Sequence, residues 1–257
     1  MIITTEHGYK VEFNKEKHVY IHNNQYIVGM STILNKLASP MLENWKINQQ
    51  INFIKIEMEK EGISLDQIQK ICSNAKINAQ KTGDNILNIG SMVHKFCEMW
   101  LKKEKFIEPT DPIIKNCFYK FKKFWSKNKL KLVESEKILY SDRGYCGTLD
   151  LIAKDPLNNL WLIDIKTSKG LFFNHILQLH GYKLAYEEQT KKKINKMYLV
   201  RLPKDSDDFE ARHILYKKEH LKAFVGLLSC HKAEILFNES VRKYNQLKKG
   251  QNNVSKK

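Results

Sequence analysis

Three charged residues stand where a strand would otherwise be apolar. Asp150 lies in Gly147-Thr148-Leu149-Asp150-Leu151-Ile152, and Asp164 and Lys166 lie in Leu162-Ile163-Asp164-Ile165-Lys166-Thr167-Ser168. A strand period of two puts Asp164 and Lys166 on one face, with Ile163 and Ile165 on the other. A turn at Asp155-Pro156-Leu157-Asn158-Asn159 would fold the two segments into a hairpin, bringing Asp150 beside Asp164. Such groups are costly to bury unless they pair or bind a cation. The set reads as a solvated antiparallel face, as a buried Asp–Lys ion pair, or as a site for Mg²⁺ or Mn²⁺ in which the lysine orients a bound water.

Two further pairs have the four-residue spacing that places side chains on one helix face. His94 and Glu98 lie in Gly90-Ser91-Met92-Val93-His94-Lys95-Phe96-Cys97-Glu98, at the edge of an apolar stripe through Val93, Cys97 and Trp100. A histidine there is ordinarily a satisfied boundary residue. Gln178 and Tyr182 border a helix whose core side is Ile176, Leu177, Leu179 and Leu184. Glu136 precedes these segments in a candidate strand and reads equally well as exposed.

Taken in order, these segments resemble the PD-(D/E)XK nuclease superfamily. The pattern Gly-x-x-Asp followed by Asp-x-Lys-Thr-Ser carries the likeness. The His94 and Gln178 helices resemble the Gly-x-x-x-His-x-x-x-Glu and Gln-x-x-x-Tyr motifs of its RecB-like exonuclease branch. Val28-Gly29-Met30-Ser31-Thr32-Ile33-Leu34, with Trp45, resembles the Pro-Ser-Val-Thr segment of phage-type and mitochondrial-genome-maintenance-type exonucleases, with Gly29-Met30 in place of Pro-Ser. The resemblance implies that His94, Asp150, Asp164 and the carbonyl of Ile165 hold Mg²⁺ or Mn²⁺, while Lys166 positions water. An imidazole ligand suits Mn²⁺, so Mn²⁺ is expected to serve at least as well as Mg²⁺. It further implies that Gln178 supports the lysine or the substrate, that Tyr182 touches the phosphodiester backbone, and that Glu98 and Glu136 assist. The implied activity is DNA exonuclease, leaving 5′-phosphate and 3′-hydroxyl, in recombination, repair or replication. A structure-selective endonuclease and a non-catalytic, lysine-rich nucleic-acid-binding protein are the alternatives.

The elements that must position these residues follow from periodicity. Tyr9–Phe13, His18–His22 and Gln25–Val28 read as a strand meander with Asn23-Asn24 at its last turn. Residues 31–77 read as helical with an interruption at Pro40, and Gly83-Asp84 is expected to end that stretch, Asp84 or Asn85 capping a helix over 86–103. Its stripe is Ile86, Ile89, Val93, Phe96, Cys97 and Trp100. A helix is expected over 111–127, strands over 130–140, 145–153 and 160–165, a helix over 173–188, strands over 196–202 and 210–216, and a helix over 218–247. The fold class is α/β, a restriction-endonuclease-like mixed sheet flanked by helices with an N-terminal hairpin and helical elaboration. One domain is expected over 1–247, with elaboration over 1–80, the core over 84–216, a C-terminal helix over 217–247, and a basic disordered tail over 248–257.

Charge agrees with a polyanionic partner. Lysine and arginine number 44 against 28 acidic residues, a net +16, but only Arg143, Arg201, Arg212 and Arg242 are arginine, and AT-rich codon usage, which also favours Asn and Ile, would supply lysine without a polyanionic partner. Lys102, Lys103, Lys105, Lys120–Lys123 and Lys191–Lys193 are candidate backbone contacts, Lys102, Lys103, Lys122 and Lys123 foremost, and Tyr119 lies off the apolar stripe of its helix. The expected partner is DNA with linear or single-stranded ends. No apolar run suits a membrane span or secretory signal, which points to the cytoplasm. The five cysteines lack paired spacing, so buried thiols are expected, with no disulfide framework and no iron-sulfur cluster.

Overall fold

The computed structural model describes residues 2–4, 10–14, 19–37, 39–59, 65–204, 206 and 209–254. At the N-terminus β1 (Ile2–Thr4), β2 (Lys10–Asn14), β3 (Val19–His22) and β4 (Gln25–Gly29) form an antiparallel meander. Asn23 and Asn24 both have positive φ, 48° and 61°, the geometry that a two-residue hairpin turn requires. The expected strand starts at Tyr9 and His18 lie outside the described residues, and β1 carries no alternation long enough to announce it.

Beyond the meander come α1 (Met30–Leu34), α2 (Pro40–Met58), α3 (Leu65–Leu101) and α4 (Pro112–Lys127). Pro40 and Pro112 sit in the first turns of α2 and α4, where a missing N–H costs nothing, and Asp111 Oδ1 caps α4 by accepting from Ile113 and Ile114. The expected break at Gly83-Asp84 does not occur. A glycine inside a helix costs only about 1 kcal/mol relative to alanine, too little to stop a helix anchored by packing further on. Asp84 caps nothing and accepts instead from Gln80 one turn earlier. Residues 60–64, through which an earlier helix was expected to run, lie outside the described residues.

A mixed sheet follows: β5 (Lys131–Ser141), β6 (Tyr145–Lys154), β7 (Leu160–Lys166), then α5 (Phe173–Thr190), β8 (Lys196–Arg201), β9 (Glu210–Ile214) and α6 (Lys218–Val254). β6 is the hub. One of its edges pairs antiparallel with all of β5; the other is shared by β4, parallel at Tyr145 and Cys146, and β7, antiparallel from Leu151 to Lys154. β7 and β8 are parallel, joined by the α5 crossover, and β9 closes the edge antiparallel to β8. α6 extends to Val254, past its expected end at Leu247 and into the segment expected to be disordered. Gly250 inside it is again too weak a breaker to end a helix alone.

Helices cover both faces of the sheet, as in the restriction-endonuclease-like core expected. α1, α5 and the start of α6 bury Met30, Leu177, Tyr186 and Phe224 with Leu149, Ile152, Leu162 and Leu199. α3 and α4 bury Val93, Cys97, Phe118 and Phe121 with Leu151, Ala153, Ile163, Ile165 and Val200. At the other end of the expected α3 stripe, Ile86 is exposed, and α2 buries no residue, leaving Met41, Leu42, Ile47 and Ile56 at the surface. Cys97, Cys117 and Cys146 are buried, but Cys72 and Cys230 are exposed, because α3 before Ala75 and α6 after Leu228 run clear of the core.

Candidate metal centre and its lysine

The β6–β7 turn sets the register on which the site depends. Asp155 Oδ1 accepts from the N–H groups of Leu157 and Asn159 and Oδ2 from Trp161 Nε1, while Lys196 approaches Oδ2 at 3.2 Å. These contacts, led by Asn159, outweigh the loss of hydration and hold the carboxyl well below the usual carboxylate range. With the turn fixed, Lys154 faces Leu160 and the rungs run to Leu151 opposite Ile163. The next rung in that register would be Asp150 opposite Asp164. There the strands stop pairing, and Asp150 Oδ2 accepts from the Ile165 N–H at 2.7 Å.

A local irregularity aims the acids. Leu149 and Ile152 pack on the α5 side, whereas Leu151 and Ala153 pack on the α3 side, so the alternation of β6 slips at Asp150. In β5, opposite, Glu136 has φ 47°, the left-handed region that costs a non-glycine residue energy, and Glu134 and Lys137 on either side of it both meet Tyr186 of α5. The slip turns Asp150 and Glu136 toward α3.

His94 arrives from α3 because that helix approaches closely. A Cβ on Gly90 would lie 2.9 Å from Thr167 Oγ1, so any larger residue there would have to displace the Thr167 side chain next to Lys166. One turn on, His94 Nδ1 lies 3.5 Å from Asp150 Oδ1. Ligand atoms of His94, Glu136 and Asp150 all fall within 4.8 Å of one another, one imidazole nitrogen and two carboxylate oxygens, a donor set suited to Mn²⁺ or Mg²⁺. Burial disfavours a charged imidazole at His94, but the Asp150 carboxylate more than compensates and its pKa is raised to about 8. Asp150 is correspondingly lowered, His94 overcoming the effect of burial. Glu136 is an exposed residue, yet loss of hydration at its carboxyl and then the facing Asp150 charge push it up to about 7.

Asp164 stands apart from that triad. It is 1% exposed, and its Oδ2 lies 2.8 Å from Lys166 Nζ, a charge contact without good hydrogen-bond alignment. Burial raises it to about 6 despite the lysine. Lys166 Nζ also donates to Gln178 Oε1 at 2.8 Å, and Gln178 Nε2 donates to the Tyr182 hydroxyl at 3.1 Å. Tyr182 is buried, its ring lying where a Cβ on Gly147 would be 2.6 Å away. The Tyr182 hydroxyl thus accepts from Gln178 within the protein, beneath the amide that holds Lys166. Ile165 presents its N–H to Asp150, and its side chain is buried.

The remaining expected residues spread outward. Glu98 accepts from Lys102 at 2.5 Å and from Ser135 Oγ at 3.4 Å, joining α3 to β5. Lys122 lies over the rings of Tyr119, Phe118 and Trp100 at 4.9, 5.2 and 5.8 Å from their centroids. Tyr119 is exposed, its hydroxyl donating to Glu108, and Lys103 and Lys123 are exposed. Lys120 is not a surface lysine: it is buried and donates to the carbonyls of Pro203 and Ser206. One residue that spacing did not single out, His175, stands one turn before Gln178 on the same face of α5; the extension of Gln178 and Tyr182 backwards by three was the available signal.

No family model matches the sequence, and no curated protein matches it. Among solved structures, the chain is similar to the protein SSO0001, with 14% identity over 74% of this chain and 84% of that one, at a TM-score of 0.34. It is also similar to a Eubacterium rectale protein described as a candidate exonuclease, with 15% identity over 58% of this chain and 65% of that one, at a TM-score of 0.36. Among the described residues no helix is long and apolar enough to cross a membrane.

Proposed function

We propose that the chain is a divalent-metal-dependent deoxyribonuclease, acting from DNA ends and leaving a 5′-phosphate and a 3′-hydroxyl. The observation that carries this reading is the juxtaposition of the His94, Glu136 and Asp150 cluster with a lysine gripped by Asp164 and Gln178. His94, Glu136 and Asp150 would hold the ion, with Asp164 and the Ile165 carbonyl as further oxygen donors. When bound, the ion supplies Lewis acidity toward a phosphate oxygen and lowers the pKa of coordinated water. Lys166 orients the attacking water and offsets the charge that builds on the phosphate. Asp164 and Gln178 fix Lys166 in place, and Tyr182 fixes Gln178. Lys102, Lys103, Lys122, Lys123 and Tyr119 lie on a surface suited to the DNA backbone.

The test incubates wild type and Lys166→Ala with end-labelled linear duplex, single-stranded and covalently closed circular DNA, with Mn²⁺, Mg²⁺ or EDTA. Wild type should degrade linear DNA with either ion, Mn²⁺ at least as well as Mg²⁺, and spare circles; Lys166→Ala should degrade nothing. Cutting of circles would replace the exonuclease reading with an endonuclease one. Binding without cleavage in every ion would overturn the enzyme reading.

A further inference from the structure

Lys166 is followed by a short loop whose exposed end is aromatic. Ser168 Oγ donates to the Gly170 carbonyl at 2.7 Å, folding the loop back, and the Phe172 ring lies over Gly170 and edge-on to the His175 ring at 5.4 Å. Phe172 is nonetheless 36% exposed and Phe173 50%. Phe172 is thus packed against Gly170 and His175, and the rest of the residue stays exposed.

His175 has a fixed tautomer. Its Nδ1 accepts from the Phe172 N–H at 3.2 Å, closing the first turn of α5, so in the neutral ring the proton resides on Nε2. Burial and then the Lys166 charge push its pKa down to about 4, which keeps the ring neutral near pH 7. Among the described residues Nε2–H has no hydrogen-bond partner, and His175 is partly exposed. His175, Gln178 and Tyr182 form one stripe along α5, at i, i+3 and i+7. The stripe runs from the buried hydroxyl of Tyr182, through the Gln178 amide bound to Lys166, to His175 and then Phe172 at the rim.

We propose that Phe172 and His175 form a binding site for an unpaired nucleotide at the edge of the centre. The open face of Phe172 stacks on a base, and His175 Nε2–H donates to an oxygen of the adjoining phosphodiester. A base already stacked in a duplex cannot reach such a platform, so the substrate class selected is a single strand or a frayed end. This deepens the nuclease reading and rests on it for the position of the strand.

The experiment measures binding separately from cleavage. Full-length wild type, Phe172→Ala, Phe172→Trp and His175→Ala are titrated in EDTA with a single-stranded oligonucleotide carrying terminal 2-aminopurine, and with a blunt duplex of the same sequence. Wild type should favour the single strand and quench the fluorophore. Phe172→Ala should lose about tenfold in single-strand affinity and most of the quenching, with the duplex unchanged, and Phe172→Trp should restore both. His175→Ala should weaken single-strand binding without altering its salt dependence, because a neutral donor releases no counterion. Equal single-strand affinity for wild type and Phe172→Ala, or a wild-type preference for blunt duplex, would overturn the proposal. Cleavage by all variants with indifferent binding would leave the nuclease reading standing alone; Phe172-dependent binding with no cleavage in any ion would leave the rim site standing alone.

Discussion

Asp150 and Asp164 occupy the first rung that β6 and β7 fail to make, and Asp150 takes the place of backbone pairing by accepting the Ile165 N–H. The carboxylate thus has one oxygen committed to structure and the other turned to His94. Asp150→Asn retains a carbonyl acceptor for Ile165, whereas Asp150→Ala leaves that N–H without one. Both should abolish cleavage, but the alanine variant should be less stable than the asparagine variant by about 1–2 kcal/mol in chemical denaturation. Equal stability of the two would show that the Ile165 contact does not hold the strand ends together.

The link from Lys166 through Gln178 to Tyr182 acts as one unit, so its parts should not be additive. Gln178→Leu frees Lys166 from one of its two anchors and should slow cleavage by about 10- to 100-fold, the usual effect of losing a residue that orients a catalytic group. Tyr182→Phe removes only the support beneath Gln178 and should cost a few-fold. The double variant should then be no slower than Gln178→Leu alone. A double variant slowed by the product of both effects would assign Tyr182 a contact of its own.

Two glycines of α3 make opposite predictions because their surroundings differ. Nothing lies within 4 Å of a Cβ built on Gly83, so Gly83→Ala should stabilise the protein by about 0.8–1 kcal/mol through helix propensity alone. A Cβ on Gly90 would press on Thr167 beside Lys166. Gly90→Ala should therefore lower activity, with His94 levered away from Asp150. Thermal denaturation and cleavage rates separate the two; a destabilised Gly83→Ala would show that α3 is not a continuous helix at that point.

Most of the core was legible because its signals are local. Apolar runs broken by single charges marked β6 and β7, an Asp-Pro-Leu-Asn-Asn turn marked their hairpin, and together these brought Asp150 next to the end of β7 that carries Asp164. The His94 and Gln178 helices were recognisable by spacing, but where their side chains point depends on close approaches at Gly90 and Gly147, which spacing does not encode. Glu136 was a toss-up in the sequence since its orientation follows from a backbone irregularity at φ 47°, for which no turn residue announces itself. Lys120 looked like its neighbours Lys122 and Lys123. Its burial is decided by two carbonyls more than eighty residues away, at Pro203 and Ser206, and no local pattern contains them.

Protons and a divalent ion should compete for the centre. His94 is raised from 6.5 to about 8, so the stability it contributes is present below about pH 6.5 and lost as the pH rises through 8. Glu136 is raised from 4.5 to about 7, so the fold holds its proton more tightly than the unfolded chain does, and stability falls as the pH rises across that window. Both effects make the metal-free centre less stable at pH 8 than at pH 5. Binding an ion requires a neutral imidazole and an ionised carboxyl, the forms favoured at the higher pH. The gain in melting temperature from one fixed excess concentration of Mn²⁺ over EDTA should accordingly widen from pH 6 to pH 8.5. Glu136→Gln should shrink the gain and flatten its pH dependence below 7, leaving the His94 part. A gain that stays constant with pH in wild type, or that survives unchanged in Glu136→Gln, would show that these residues do not hold the ion.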